Sequence, residues 1–305
     1  MSRSFKFLPA NVLAIFAGVL FTLAFAPFDQ LFCFFIAIPL FKYLLDTAIS
    51  GKQALLRGFL FGLGVFGLGT SWVYVSMTLN TQSIRFIPLI MTFVFCSFWA
   101  VNYAVFAYLY LKLKRNTLFD IFIFSLLWIL MEYIRGEWIL NGFPWLQVAY
   151  SQLDSFLSGY IPVFGTYGVG LITVMLACLL LELIKKKQIG IFLLIVGVLL
   201  LGAHLKKISW VYRIGEELQV TLIQGNISQA NKWQLENRKK TLQQYATETR
   251  KHWDSDLIIW PETAIPAYYK EVKTSYLEPL QREALQQKTD IIVSLPYKDK
   301  EEQLY

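Results

Sequence analysis

The chain has 305 residues, 56% of them apolar and 16% charged, against roughly 45–50% and about 25% in soluble domains, which excludes an ordinary water-soluble globule. Its 25 Phe, 16 Tyr and 9 Trp carry more apolar surface than one core of this size can hide, so lipid is the missing solvent. The net charge of +7 divides into 16 Lys/Arg against 7 Asp/Glu before Ile214 and 12 against 14 from there on, so the basic excess belongs to the apolar half and no nucleic-acid partner is expected.

Apolar runs occupy residues 8–26, 31–45, 54–79, 86–111, 118–134, 160–184 and 189–205. Most approach the ~20 residues that cross ~30 Å of hydrocarbon, which predicts seven spans. The second run is short and carries Pro39 and Lys42, as a tilted or interrupted helix would. With a cytoplasmic N-terminus, the inner segments hold Arg3, Lys6, Lys42, Lys52, Arg57, Lys112, Lys114, Arg115, Lys185, Lys186 and Lys187, and the outer loops hold only Arg85 and Arg135. An odd number of spans then puts everything after about residue 206 outside the cytoplasm. Ala24-Phe25-Ala26 has the form of a processing site, but Pro27 follows it, and the first run reads as an uncleaved anchor.

Several motifs in this half have structural readings. Gly62-Leu63-Gly64-Val65-Phe66-Gly67 matches a dinucleotide fingerprint but lies inside an apolar run with no strand before it; with Gly58 it reads as a helix-packing surface. Glu132, Arg135 and Glu137 are expected to form ion pairs at the interface. The following Asn141–Gln147 stretch, with its Gly, Pro and Trp, suits a re-entrant or interfacial loop, or an aromatic belt. Glu182 is expected to pair with Lys185 to Lys187. His204 has no second ligand at metal spacing. Cys33, Cys96 and Cys178 lie in apolar runs, without the spacing of a disulfide framework or a zinc site.

From Ile214 the pattern changes. Leu218–Ile223 reads as a strand, 234–252 as a polar helix, Asp256–Trp260 as a second strand, 274–288 as a helix and Asp290–Leu295 as a third strand. That alternation predicts an α/β sheet whose reactive groups emerge at strand ends. Glu262 stands at such an end, after Leu257-Ile258-Ile259-Trp260 and the stiff Pro261, where a partly desolvated, rigidly held carboxylate would serve as a general base. On position alone, an ordinary exposed loop glutamate is the alternative.

Gln224-Gly225-Asn226-Ile227, Lys232-Trp233 and Asp256-Leu257-Ile258-Ile259-Trp260-Pro261-Glu262-Thr263-Ala264-Ile265-Pro266 resemble the nitrilase-type (CN hydrolase) domain of bacterial apolipoprotein N-acyltransferases. Leu23-Ala24-Phe25-Ala26-Pro27-Phe28, Ser71-Trp72-Val73-Tyr74-Val75-Ser76 and Asn141-Gly142-Phe143-Pro144-Trp145-Leu146-Gln147 resemble the membrane motifs of that family. The resemblance implies a polytopic α-helical membrane bundle over residues 1–213, followed at 214–305 by the first part of an αββα sandwich on the periplasmic side of the bacterial inner membrane. It implies transfer of a fatty acyl chain from a phospholipid donor to the N-terminal amine of a diacylated apolipoprotein acceptor, through a thioester enzyme and without metal or cofactor. In such sites a Glu moves the proton, a Lys stabilises the oxyanion and a Cys is the nucleophile. Carried onto this chain, Glu262 is the general base. Trp233 matches a position near the substrate, with a core anchor as its plain alternative.

The family's Lys and Cys lie downstream of a segment like Ile291–Tyr305. Lys270, Lys273, Lys288, Lys298 and Lys300 precede the lysine position, and the three cysteines sit in apolar helices where a thiolate is disfavoured. The chain is therefore expected to be catalytically incomplete, as the first part of a longer protein, since an uncovered sheet edge after Leu295 is an aggregation hazard. The alternatives are a noncatalytic shortened membrane relative and a membrane transporter.

Overall fold

The computed structural model describes residues 7–80 and 86–298. Arg3, Lys6, Arg85, Lys300 and the terminal Gln303-Leu304-Tyr305 lie outside the described residues. The chain divides into two compact units, residues 1–211 and 212–305.

The first unit is helical: α1 (Phe7–Leu23), α2 (Leu31–Asp46), α3 (Gly51–Gly69), α4 (Trp72–Asn80), α5 (Phe86–Leu113), α6 (Phe119–Tyr133), α7 (Ile161–Lys186) and α8 (Ile189–Leu205). Each apolar run in the sequence folds as helix, but they are not seven uninterrupted spans. Among the described residues, two helices, Phe86–Leu113 and Phe156–Lys186, are long and apolar enough to cross a membrane. A third results if α3 and α4 count as one span, and these are bent by 53° where the run at 54–79 promised a single helix. The physical cause sits at Thr70, whose side chain turns back onto the Phe66 carbonyl at 2.7 Å while its backbone leaves the helical region. Run 118–134 likewise ends in a π turn over Ile134–Trp138.

Aromatic side chains fill the centre of this unit. Phe41 stacks on Phe61 at 3.9 Å, and Phe21, Phe106, Phe124 and Trp128 surround them, all buried. The expected packing role of the glycines holds at three positions, Gly58, Gly62 and Gly64, and Gly18, which the sequence did not single out, shares it. A methyl group on Gly58 would meet the Tyr103 carbonyl at 2.3 Å and one on Gly62 the Ala100 Cα at 2.7 Å, both on α5. On the opposite face Gly64 meets Ile15 O at 2.2 Å, and Gly18 of α1 meets Phe61 O at 2.0 Å. Small residues therefore let α1, α3 and α5 approach backbone to backbone. Gly67 touches nothing within 4 Å.

The outer surface is apolar. Phe86, Leu89, Phe93 and Val94 on α5 and Leu193, Leu194, Leu200 and Leu201 on α8 are exposed, a contiguous arrangement that water does not tolerate on a monomer and a bilayer does. Some charges inside the unit are ion-paired: Lys42 is 3% exposed and pairs with Asp46 at 2.9 Å, and Asp46 also accepts from Tyr110 at 2.7 Å. Glu182 pairs with Lys185 at 3.6 Å and Lys186 at 3.1 Å, as expected.

The second unit holds a parallel sheet in the order β1 (Val220–Leu222), β2 (Leu257–Ile259), β3 (Asp290–Ile292), with Thr221 opposite Ile258 and Ile258 opposite Ile291. The short α9 (Gln229–Lys232) and the longer α10 (Leu235–Arg250) connect β1 to β2; α11 (Tyr269–Val272), a π turn and α12 (Glu278–Gln287) connect β2 to β3. The predicted alternation is present, with strands shorter than their apolar runs because only three residues of each pair in register. Ile223, Ile258 and Trp260 pack with Tyr245 of α10 and Leu280 of α12, which tie the helices to the sheet.

Candidate functional site

Parallel strands end together, so the loops after β1 and β2 share one rim of the sheet. At that rim Ile223 N donates to Ile259 O at 3.0 Å and Trp260 N to Ile292 O at 3.0 Å, which extends the register one residue beyond each strand. Both loops then enter the left-handed backbone region, at Asn226 (φ 48°) and at Thr263 (φ 50°). For the β-branched Thr263 this conformation is strained, and such strain gathers at functional rims. Glu262 lies between Trp260 and that strained residue.

Glu262 is exposed. The expectation of a partly desolvated carboxylate is corrected: Pro261 carries the chain off the core immediately after Trp260, which is 3% exposed, and no hydrogen bond or ion pair among the described residues reaches the Glu262 carboxylate. What fixes the turn is its backbone. Ala264 N donates to Pro261 O at 3.2 Å, and Ala264 and Ile265 are buried beneath it.

Lys232 is the residue that sequence reasoning quoted but gave no role. Its Nζ lies 3.3 Å from the Glu262 carbonyl, so the loop after β1 brings a cation to the turn after β2. The only signal was its place in the Lys232-Trp233 pair. Trp233 closes α9 and is 55% exposed, so it is not a core anchor. Cys33, Cys96 and Cys178 are buried, all within helices of the first unit. Among the described residues no group of His, Cys, Asp and Glu is placed to hold a metal.

The first unit contains a second feature, a cavity of about 800 Å³ lined by the α1–α2 turn, the α3–α4 break and the 144–155 loop. Its walls include Phe25, Leu68, Trp72, Trp145 and Leu146. The expected ion pairs among Glu132, Arg135 and Glu137 do not form. Backbone and aromatic donors satisfy these charges instead: Glu132 accepts from Trp128 Nε1 and from Val148 N, each at 3.0 Å, and Glu137 accepts from the Tyr167 hydroxyl at 3.1 Å. Arg135 donates to the carbonyls of Phe143 at 2.7 Å and Trp145 at 2.5 Å. The 141–147 stretch is thus an irregular loop pinned from within, with left-handed residues at Asn141 and Leu146.

Residues 17–179, more than half of the chain, match the family model described as the apolipoprotein N-acyltransferase N-terminal domain, and residues 219–305 match the carbon-nitrogen hydrolase model. An apolipoprotein N-acyltransferase of Methylococcus capsulatus is 40% identical over 294 residues, covering 94% of this chain and 58% of the relative. Those of Coxiella burnetii (37% identity; 94% and 60%) and Pseudomonas aeruginosa (36%; 96% and 58%) are similar to it over the same stretch. The chain spans 58–60% of the length of these curated relatives. With an apolar helical unit across the first match and a β/α unit whose middle strand runs into Trp260-Pro261-Glu262 across the second, the chain belongs to the apolipoprotein N-acyltransferase family.

Proposed function

We propose that this chain contributes to the transfer of a fatty acyl chain from a phospholipid to the N-terminal amine of a diacylated apolipoprotein. The first unit sits in the bacterial inner membrane as a bundle of about seven crossings, some of them bent, and the second unit begins an αββα sandwich on the periplasmic side. Glu262 is the general base, and Trp233 lies beside the substrate. The observation that carries this reading is the position of Glu262: one step beyond the middle strand of a parallel sheet, on a strained turn, with Lys232 at its backbone.

The chemistry follows from what a carboxylate at such a place does. A carboxylate takes the proton of a thiol, the thiolate attacks the phospholipid ester to give a thioester, and the proton passes to the oxygen of the departing lysophospholipid; the incoming amine then attacks the thioester, gives a proton to the carboxylate, and that proton returns to the departing thiolate. Glu262 is suited to both directions once a substrate covers it. The thiol and the oxyanion-stabilising lysine are not assigned to residues of this chain. Lys232 reaches a carbonyl rather than the carboxylate and is a residue that shapes the turn.

The test joins this chain to the C-terminal portion of the Methylococcus capsulatus relative and follows acyl transfer from a tail-labelled phospholipid to a diacylated lipopeptide. Glu262→Gln is expected to lower the rate by about 100-fold or more, the usual contribution of a positioned base. Transfer at the parental rate in the Gln variant would remove Glu262 from the mechanism.

A further inference from the structure

We propose that Arg135 is a positioning residue, which through Trp145 sets the break between α3 and α4 and so shapes the 800 Å³ cavity to receive an acyl chain of a bilayer lipid.

Arg135 is 1% exposed, yet no carboxylate lies within ion-pair distance of it among the described residues, and its Nη2 has no partner there. The buried Glu132 carboxylate acts on it only at a distance, and a buried guanidinium held by no direct ion pair is a poor stability device, where an apolar residue of similar volume would serve packing at least as well. What the guanidinium does instead is geometric. It holds the carbonyls of Phe143 and Trp145, on either side of Pro144, while Phe143 N donates back to the Arg135 carbonyl at 2.7 Å. The backbone around Trp145 is thereby fixed from both flanks.

Trp145 uses that fixed position to span the break. Its Nε1 donates to the carbonyl of Gly69 at 2.8 Å, and its ring lies 5.4 Å from that of Trp72. Gly69 is the last residue of α3, where a helix leaves its carbonyls unpaired, and Trp72 is the first residue of α4. One indole therefore contacts both sides of the 53° bend. A methyl group on Gly69 would meet Leu146 Cδ1 at 2.3 Å, so the glycine is what admits the loop.

The cavity beside this bend is mostly apolar, with Asp29 and Asp154 also in its lining, and its residues Phe28, Trp72 and Leu153 are exposed on a unit whose α5 and α8 present apolar outer faces suited to lipid. That continuity makes a lipid tail the guest. The identity of the guest as the acyl donor rests on the acyltransferase reading; the positioning role of Arg135 does not.

The experiment uses the full chain in phosphatidylcholine vesicles, spin-labelled at Ile49→Cys and Leu79→Cys, two exposed positions between α2 and α3 and near the end of α4, with the three native cysteines buried. The distance distribution reports the bend, and tryptophan quenching by phosphatidylcholine brominated on one tail reports the cavity. Arg135→Met is expected to keep its helical circular dichroism, to widen the distribution at least about twofold and to weaken quenching about tenfold, the loss associated with a charge-assisted hydrogen bond. Arg135→Lys, which keeps the charge but loses the fork, should fall between. Trp145→Phe repeats the widening without touching the buried charge, and it decides the matter if Arg135→Met does not fold. A parental distribution and parental quenching in either variant overturn the proposal. Glu262→Gln should leave both readouts unchanged, so a failure of acyl transfer chemistry and a failure of the clamp are told apart.

Discussion

Trp260 donates its indole N–H to the hydroxyl of Thr249 at 3.0 Å, and its ring lies over that of Tyr245 at 4.8 Å and 26°. Two residues before Glu262, the middle strand is therefore fastened to α10 by both a polar bond and a stack. Thr249 is fully buried. Thr249→Val preserves its shape and leaves the indole donor without an acceptor, which is expected to cost about 1–3 kcal/mol in thermal unfolding of the second unit followed by near-ultraviolet circular dichroism.

Trp233 makes the opposite prediction. Being 55% exposed, it contributes little to folding. Trp233→Ala should leave the unfolding midpoint within about 0.5 kcal/mol of the parent, as surface changes usually do, while lowering acyl transfer in the chimeric enzyme. A matched loss of stability and activity would reduce Trp233 to a structural residue.

The glycines of the helical unit divide by their neighbours. Gly18→Ala and Gly64→Ala each place a methyl group within 2.2 Å of a backbone oxygen on the facing helix, so the helices must separate; the expected loss exceeds about 2 kcal/mol. Gly67→Ala meets open space and should be neutral or slightly stabilising, by up to about 1 kcal/mol from helix propensity. Detergent-induced unfolding of the three variants separates the two classes.

Between α10 and α12, Arg250 holds the Glu283 carboxylate through two hydrogen bonds, at 2.7 and 2.8 Å, which pulls the Glu283 carboxyl below its ordinary range and pushes the Arg250 guanidinium up. A carboxyl depressed in the folded state adds stability above its unfolded value, about 4.3, and loses it as pH falls through the folded value. Both partners are over a third exposed, at 49% and 36%, so solvent limits the contribution to under about 1 kcal/mol. The unfolding midpoints of the parent and Glu283→Gln should differ at pH 7 and converge toward pH 3.

Much of the fold is legible in the chain because apolar periodicity and charge act locally. The β/α alternation after Ile214 follows from runs such as Leu257–Ile259, and the Gly58, Gly62 and Gly64 surface from small residues at helical spacing. The bend at Thr70 is not legible that way: hydropathy averages over a window and does not register a side chain folding back on Phe66. In the sequence Arg135 reads as an outer-loop charge and an ion-pair partner of Glu132 and Glu137, since its actual partners are carbonyls, which every residue possesses. For Glu262 the sequence left two readings, a partly desolvated carboxylate and an exposed loop glutamate, and the exposed one is found. A buried strand predicts a buried neighbour, but Pro261 reverses direction within one residue.

The cations that the proposed orientation puts on the inner side are not equivalent once the protein has folded. Lys42 is bonded to Asp46, and Arg57, 5% exposed, donates to the Leu44 carbonyl and to Thr47, so neither presents its charge to a headgroup. Lys52, Lys112, Arg115 and Lys185 to Lys187 are exposed, and although Lys185 and Lys186 pair with Glu182, all six carry their charge at the surface. Under the proposed orientation all of these cations weigh on the choice of topology while the helices are being inserted, but afterwards only the exposed ones are left to meet anionic lipid, and the composition of the leaflet should be felt at the ends of α3, α5 and α7 rather than at Lys42 or Arg57.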